Sequence, residues 1–400
     1  MRITIFSSIL ISFLLCSFSP IQSQSTTFQI GAEQIDTIQS LLKGKRVGLV
    51  VNQTSILEKQ KRHVFDVLLA KGINVGCVFA PEHGFRGNAA PGAAIDDTKD
   101  IKTGIPIYSI YGKHKKPSPE QLANIDIIVY DIQDVGARFF TYISTLHYVM
   151  EACAENHKPL LILDRPNPND FVDGPICDEK HRSFVGVDPI PVLYGLSVGE
   201  LAQMINGEHW LKTTPDTCSL TVIKIKNWQH GAPYWLPVKP SPNLATDQAI
   251  RLYPSLCFFE GTTISVGRGT FFPFEVLGYP DPCFGSFSFT PTAMPGYSTH
   301  PLHQDELCYG MDLRELPFKG GLDLHFLLEM YQRSGKHKAL FFSRPQWFDL
   351  LAGTKQLRLQ IIRELSEKEI RESWQPALNT YKKIRKKYLL YPDYNAPIHE

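Results

Sequence analysis

The sequence predicts an α/β protein: a doubly wound, mostly parallel, Rossmann-like sheet followed by a second, smaller α+β domain. Three observations predict it. From about residue 30, short apolar runs alternate with helical stretches, the order that winds a parallel sheet with helices on both faces. Several of those runs end in a loop carrying charged or amide side chains, as strands do when their carboxyl ends frame a ligand site. In the last third the alternating strand patterns become few and amphipathic helices take over. At 400 residues, 43% hydrophobic and 20% charged, the chain is long enough for two domains. We expect a leader at 1–25, a Rossmann-like domain at 26–250 and a C-terminal domain at 251–400 that completes a cleft.

Met1-Arg2, the apolar run 3–15 and the Ser/Pro/Gln-rich sequence after it read as a secretory signal peptide. The run is too short for a membrane span. Cleavage near Ser23 or Ser25 leaves small residues at the junction, and bulky Leu15 argues against lipidation of Cys16. An exported protein without a membrane span follows, periplasmic, secreted or associated with an outer membrane.

The first strand is expected at 46–51, ending in Asn52-Gln53-Thr54. A helix at 64–71 closes with Gly72 as its stop signal. The apolar run 73–79 is the next strand, and Pro81, which has no N–H for a ladder, ends it. Gly84 and Gly87 then let the chain turn sharply while it presents Glu82, His83, Phe85 and Arg86. A carboxylate, an imidazole, an aromatic ring and a guanidinium within five residues of a strand end point to a functional site. The alternative is an ion pair from Glu82 to Arg86 that only pins the loop. Strands at 105–111 and 125–131 follow, then a helix at 139–155 that includes Tyr142, and a strand at 160–163 ending in Asp164-Arg165.

In such a sheet these loops gather at one edge, bringing together Asn52 and Gln53; Glu82, His83 and Arg86; Asp131, Gln133, Asp134 and Arg138; and Asp164 and Arg165. No G-x-G-x-x-G follows the first strand and no Walker loop occurs, so the layout implies no nucleotide. The net charge of +1 gives no reason to expect nucleic acid. Cysteines are scattered, with no C-x-x-C pair and no His at zinc spacing. Neither a metal nor a cofactor is indicated.

Gly195-Leu196-Ser197-Val198-Gly199 matches the G-x-S-x-G elbow of serine hydrolases. Ser197 and Glu200 also form a capping box, and we favour the cap. Further along, Pro240-Ser241-Pro242-Asn243 reads as a rigid connector. Glu260 and Arg268 stand in glycine-bearing turns that let backbone approach a ligand. An amphipathic helix is expected at 322–332, and another opens with a capping box at Ser366 and Glu369. The basic run from Lys382 to Lys387 is a solvated face.

Taken together, Val51-Asn52-Gln53-Thr54, Ala80-Pro81-Glu82-His83-Gly84-Phe85-Arg86-Gly87, the 131–138 loop, Leu163-Asp164-Arg165-Pro166-Asn167-Pro168, Pro240-Ser241-Pro242-Asn243 and Glu260-Gly261-Thr262 resemble the exo-β-N-acetylmuramidases of the NamZ type. Where that family has Gly-Thr-Asn, this chain has Gly261-Thr262-Thr263. The resemblance implies a glycoside hydrolase whose Rossmann-like domain carries the catalytic glutamate, Glu82 here. It also implies a substrate, the β-1,4-linked N-acetylmuramic acid at the non-reducing ends of peptidoglycan fragments. Glycoside hydrolysis needs an acid and usually a second carboxylate, and Asp131 or Asp134 is the expected second group. The substrate's own acetamido group is the alternative nucleophile. Asn52, Gln53, His83, Arg86, Gln133, Arg138, Tyr142, Asn243, Glu260 and Arg268 are the expected substrate contacts. Arg138, ahead of Arg86 and Arg268, is the expected clamp for the lactyl carboxylate of muramic acid. A serine hydrolase built on Ser197 and a non-catalytic sugar-binding protein remain the other readings.

Overall fold

A computed structural model describes residues 28–87, 92 and 97–394. The expected signal peptide at 1–25 lies outside them. Among the described residues, no helix is long and apolar enough to cross a membrane.

Seven strands form the central sheet: β1 (Arg46–Val51), β2 (Asn74–Ala80), β3 (Thr98–Lys99), β4 (Pro106–Ser109), β5 (Ile127–Asp131), β6 (Leu160–Leu163) and β7 (Leu220–Ile223). Their order is β7-β6-β5-β1-β2-β4-β3, parallel throughout except for β3, which runs antiparallel to β4 at one edge. The chain leaves β1 for β2 on one side and later returns to β5 on the other. The switch point therefore lies between β1 and β5, with β2 next to it, and the loops that follow these strands face one crevice.

Along β1 and β5 alternate residues feed two different cores, because successive side chains leave opposite faces of the sheet. Val50, Phe79, Ile128 and Tyr130 join one core, while Val47, Leu49, Val78 and Val129 join the other. Covered on both faces, these strands read as continuous apolar runs rather than alternating ones. Helices α1 (Ile35–Leu42) and α2 (Val64–Ala70) cover the second core. Short α3 (Pro119–Leu122) and long α4 (Tyr142–Glu155) and α5 (Val198–Gly207) cover the first.

After β7 the chain enters α6 (Asp247–Leu256). The division expected after residue 250 falls inside this helix, so the two halves are joined without a linker. A small antiparallel sheet follows, with strands β8 (Val276–Tyr279), β9 (Phe287–Phe289) and β10 (Cys308–Asp312) in the order β8-β10-β9. Helices α7 (His325–Arg333), α8 (Pro345–Ala352), α9 (Gln356–Ile362) and α10 (Glu367–Arg385) complete the chain. Sequence periodicity misses these three strands because, at 4, 3 and 5 residues, they are too short for a period to show. Helix α7 begins at His325, three residues later than periodicity suggests.

One apolar core joins both halves: Leu146 and Leu201 of α4 and α5 belong to the same cluster as Phe258, Phe348 and Leu378. Helix α10 returns to the first half, where Tyr381 donates to the Tyr194 carbonyl (2.7 Å) and Arg385 to that of Gly195 (2.6 Å). Six of the seven described cysteines are buried, consistent with use as small apolar side chains.

Candidate active site

The loop after β2 is shaped by backbone conformation. His83, Gly84 and Gly87 have φ of 70°, 77° and 71°, the left-handed region that glycine enters without penalty. A side chain at Gly87 would stand 2.2 Å from the Gln53 amide, so a glycine there lets the β1 and β2 loops touch. Phe85 faces inward, its ring edge-on to His63 (5.2 Å) and Phe65 (5.4 Å), and anchors the loop.

With the loop anchored, Glu82 is left partly exposed. Its Oε2 accepts from the Thr141 hydroxyl at 2.6 Å and its Oε1 from the Gly92 N–H at 3.1 Å. Tyr111 stands near it, and burial, then the Glu82 charge, pushes the Tyr111 pKa up. Thr141 is the residue before α4, yet its side chain makes no capping bond. Its hydroxyl is committed to Glu82 instead.

Next to Glu82 and Thr141 lies a hydrogen-bonded cluster. Gln53 Nε2 donates to the carbonyls of Lys239 (3.2 Å) and Pro240 (3.0 Å), and the Tyr142 hydroxyl donates to Pro240 at 2.8 Å. Burial, then the charge on Glu82, raises the Tyr142 pKa, while the amides of Gln53 and Asn52 oppose the shift. Asn243 Nδ2 donates to the Tyr297 carbonyl at 3.0 Å, and the Lys239 ammonium lies 5.3 Å over the Tyr297 ring. The β1 loop, the β2 loop, the start of α4 and the 239–243 connector thus meet at one place.

Several sequence-derived candidates stand elsewhere or are occupied. Asp131 is fully buried and held by Arg165 through both oxygens, at 2.6 and 3.0 Å. It staples the end of β5 to the end of β6, so the carboxylate expected as a second catalytic group is occupied by an ion pair. Asp134 is also enclosed, accepting from the Tyr194 hydroxyl (2.5 Å) and the Gly136 N–H (2.6 Å), and burial pushes its pKa up to about 7. Gln133 braces the loop by donating to the carbonyls of Asp134 (2.9 Å) and Pro166 (2.7 Å).

Arg138 is the clearest correction. Its guanidinium is fully buried and donates to the carbonyls of Pro175, Ile190 and Leu351, each at 2.8 Å. Gly353 makes room for it, since a Cβ there would lie 2.6 Å from Nη2. The guanidinium expected to clamp a substrate carboxylate is instead enclosed between the two halves and committed to their carbonyls.

Arg86 is 54% exposed, 3.2 Å from Asp100 and 4.3 Å over the Phe85 ring. The anticipated alternative, pairing with Glu82, gives way to this arrangement. Arg268 pairs with Glu260 at 2.7 and 3.1 Å on the C-terminal half. His83 is buried within the loop.

Ser197 is buried, caps α5 by accepting from the Glu200 N–H, and donates to Asp164 at 2.7 Å. Its hydroxyl faces a carboxylate rather than a histidine base, which is the arrangement of a cap. Among the described residues, no group of three or more His, Cys, Asp or Glu could hold a metal ion.

Three contributors were missed from sequence. Tyr111 ends the predicted 105–111 strand and was open to the same strand-end rule. Thr141 fell inside the helix expected at 139–155, which in the structure begins at Tyr142. Lys239 reaches the cluster only through a long connection, and no local signal marks it.

Comparison with known proteins places this arrangement. The family model described as exo-beta-N-acetylmuramidase NamZ, N-terminal, matches residues 47–248, and its C-terminal counterpart matches 251–391. The chain is 38% identical over 391 residues to the peptidoglycan beta-N-acetylmuramidase NamZ of Bacillus subtilis (strain 168), covering 89% of this chain and 90% of that protein. A DUF1343 family protein from Bacteroides fragilis NCTC 9343 has a crystal structure similar at a TM-score of 0.83 and 43% identity, over 92% of this chain and 100% of that one. A second from the same organism gives 0.78 and 30%, over 91% and 99%. Matched by both family models across nearly all of its described length, the chain belongs to the exo-β-N-acetylmuramidase NamZ family.

Proposed function

We propose that this protein is an exo-acting β-N-acetylmuramidase that hydrolyses the β-1,4 bond of a terminal, non-reducing N-acetylmuramic acid in peptidoglycan fragments, with Glu82 as general acid. Family membership and the named activity of the B. subtilis relative support the reaction class. One observation carries the choice of Glu82. Of Glu82, Asp131 and Asp134, it alone is partly exposed, and a general acid must reach the glycosidic oxygen. In the proposed step Glu82 gives its proton to the leaving oxygen as the bond from C1 breaks. The Thr141 hydroxyl and the Gly92 N–H hold the carboxylate that forms.

Asp131 and Asp134 are enclosed and bonded elsewhere, which favours the substrate's own acetamido oxygen as the nucleophile at C1. Water then attacks C1, Glu82 takes its proton, and the anomeric configuration is retained. Arg86, half exposed at the same loop, is the cation we assign to the lactyl carboxylate. The leader-like segment at 1–25 fits export to the compartment where peptidoglycan lies.

The test is turnover of a chromogenic β-muramide beside a β-glucosaminide and an ester, by wild type and Glu82→Gln. Wild type should cleave the muramide in preference to the other two. Glu82→Gln should remain folded and lose on the order of 10² or more in kcat. Near-normal turnover by the folded variant would remove Glu82 from the mechanism. Cleavage of the ester alone would restore the serine-hydrolase reading, and binding without turnover would favour a sugar-binding protein.

A further inference from the structure

Near Glu82, three partly exposed aromatic rings stand in contact with one another. Tyr111, close enough to Glu82 to feel its charge, tilts against Phe184 at 5.7 Å between centroids, and Phe184 stacks on Tyr148 at 6.0 Å with 12° between planes. The chain runs on from Tyr111 through Gly112 into the basic sequence Lys113-His114-Lys115-Lys116. Lys116 is held by Glu155 (2.7 Å) and Glu151 (3.3 Å), whereas the Lys115 ammonium lies 5.1 Å over the Phe184 ring. Among the described residues, no carboxylate pairs with the exposed Lys113 or Lys115, and Asp188 and Glu151 are engaged by His147.

An exo-acting enzyme has to enclose the chain end and leave the rest of the polymer room to pass. Gln53 and Tyr142 are committed to the Pro240 carbonyl on one flank of Glu82, and the partly exposed ladder of rings suits the passage of the chain. Rings of this kind stack on the apolar faces of pyranosides. In peptidoglycan the first leaving sugar is an uncharged glucosamine and the second is a muramic acid bearing a lactyl or stem-peptide carboxylate. We propose that the Tyr111–Phe184–Tyr148 ladder is the leaving-group subsite and that Lys113 and Lys115 hold the carboxylate of its second sugar. The proposal rests on Glu82 acting as general acid on a muramoside.

To test it, the full chain and a Lys113→Ala/Lys115→Ala variant are compared on three substrates. These are the chromogenic β-muramide, the disaccharide muramic acid–glucosamine, and the tetrasaccharide that repeats it, all N-acetylated. The ratio of kcat/KM for tetrasaccharide over disaccharide should fall roughly 3- to 20-fold in the variant, and high salt should shrink that ratio in wild type. Phe184→Leu should lower both oligosaccharides relative to the chromogenic substrate. An unchanged tetrasaccharide-to-disaccharide ratio would overturn the assignment. If wild type cleaves none of the three, the reading of Glu82 has failed. Titration of the tetrasaccharide into wild type and the lysine variant then decides the subsite alone, equal affinities ruling it out.

Discussion

At the scale of single residues, partners decide roles. Glu82 and Asp131 both follow apolar strands whose carboxyl ends meet the crevice, and nothing local ranks one above the other. The difference is Arg165, which neutralises Asp131 through a buried two-point contact. Thr141 illustrates the same point in reverse. A hydroxyl at a helix start ordinarily caps, but this one donates to Glu82 and leaves the helix uncapped by its side chain. Thr141→Ala should therefore lower kcat by roughly 10-fold or more, as expected for a lost hydrogen bond to a charged group, with a smaller effect on Tm because Glu82 is partly exposed to water. Thr141→Ser should restore most of the rate. A drop in Tm with unchanged kcat would assign the hydroxyl to the helix instead.

At the scale of elements, α5 shows how a cap can imitate a catalytic motif. The Ser197 box closes in both directions, with Oγ accepting from the Glu200 N–H at 3.2 Å and Glu200 accepting from the Ser197 N–H at 2.9 Å. Ser197 also supplies one of several donors to buried Asp164, whose pKa burial pushes up to about 6. Ser197→Ala removes a cap and a charged hydrogen bond together, and should destabilise the fold by about 2–4 kcal/mol. Its kcat per folded molecule should be unaffected. Denaturant titration beside turnover checks both, and lost turnover at full stability would mean a nucleophile.

For the whole molecule, buried charge clusters tie distant segments together. His230 lies 3.0 Å from both oxygens of Asp170 and 3.1 Å from Glu200, while Glu200 also accepts from Leu390 N–H and Asp170 from the Tyr394 hydroxyl. The C-terminal segment is thereby fastened to the first half. Burial works against charge on this imidazole, but the two carboxylates outweigh it and raise the pKa to about 9. His147, between Asp188 and Glu151, is raised to about 9 by the same balance. A folded pKa above the unfolded value near 6.5 gives stability that is fully present below that pH and lost as pH rises towards 9. Each histidine should contribute on the order of 3 kcal/mol to that loss. Asp134, lifted by burial to about 7, adds to it at the lower edge of the window. Tm should fall between pH 6.5 and 9, and His230→Gln, less stable at pH 6, should lose less across that window. An equal fall in both proteins would assign the pH dependence elsewhere.

What the sequence alone determined here is what depends on neighbours along the chain. The strands 46–51 and 160–163 and the capping boxes at Ser197 and Ser366 are set by local apolar runs, turn residues and side chain-to-backbone bonds, and the structure has them where expected. The gathering of the β1, β2 and β5 loops was also legible, because a parallel doubly wound sheet puts successive strand ends on one edge. Tertiary structure alone decided which polar groups at that edge are available. Arg138 lies 213 positions from Leu351, whose carbonyl its guanidinium meets, and Tyr142 lies 98 from Pro240. A buried cation or hydroxyl must find acceptors wherever the fold brings them. Those acceptors come from segments far along the chain, so local sequence marks a side chain as polar without saying what will satisfy it.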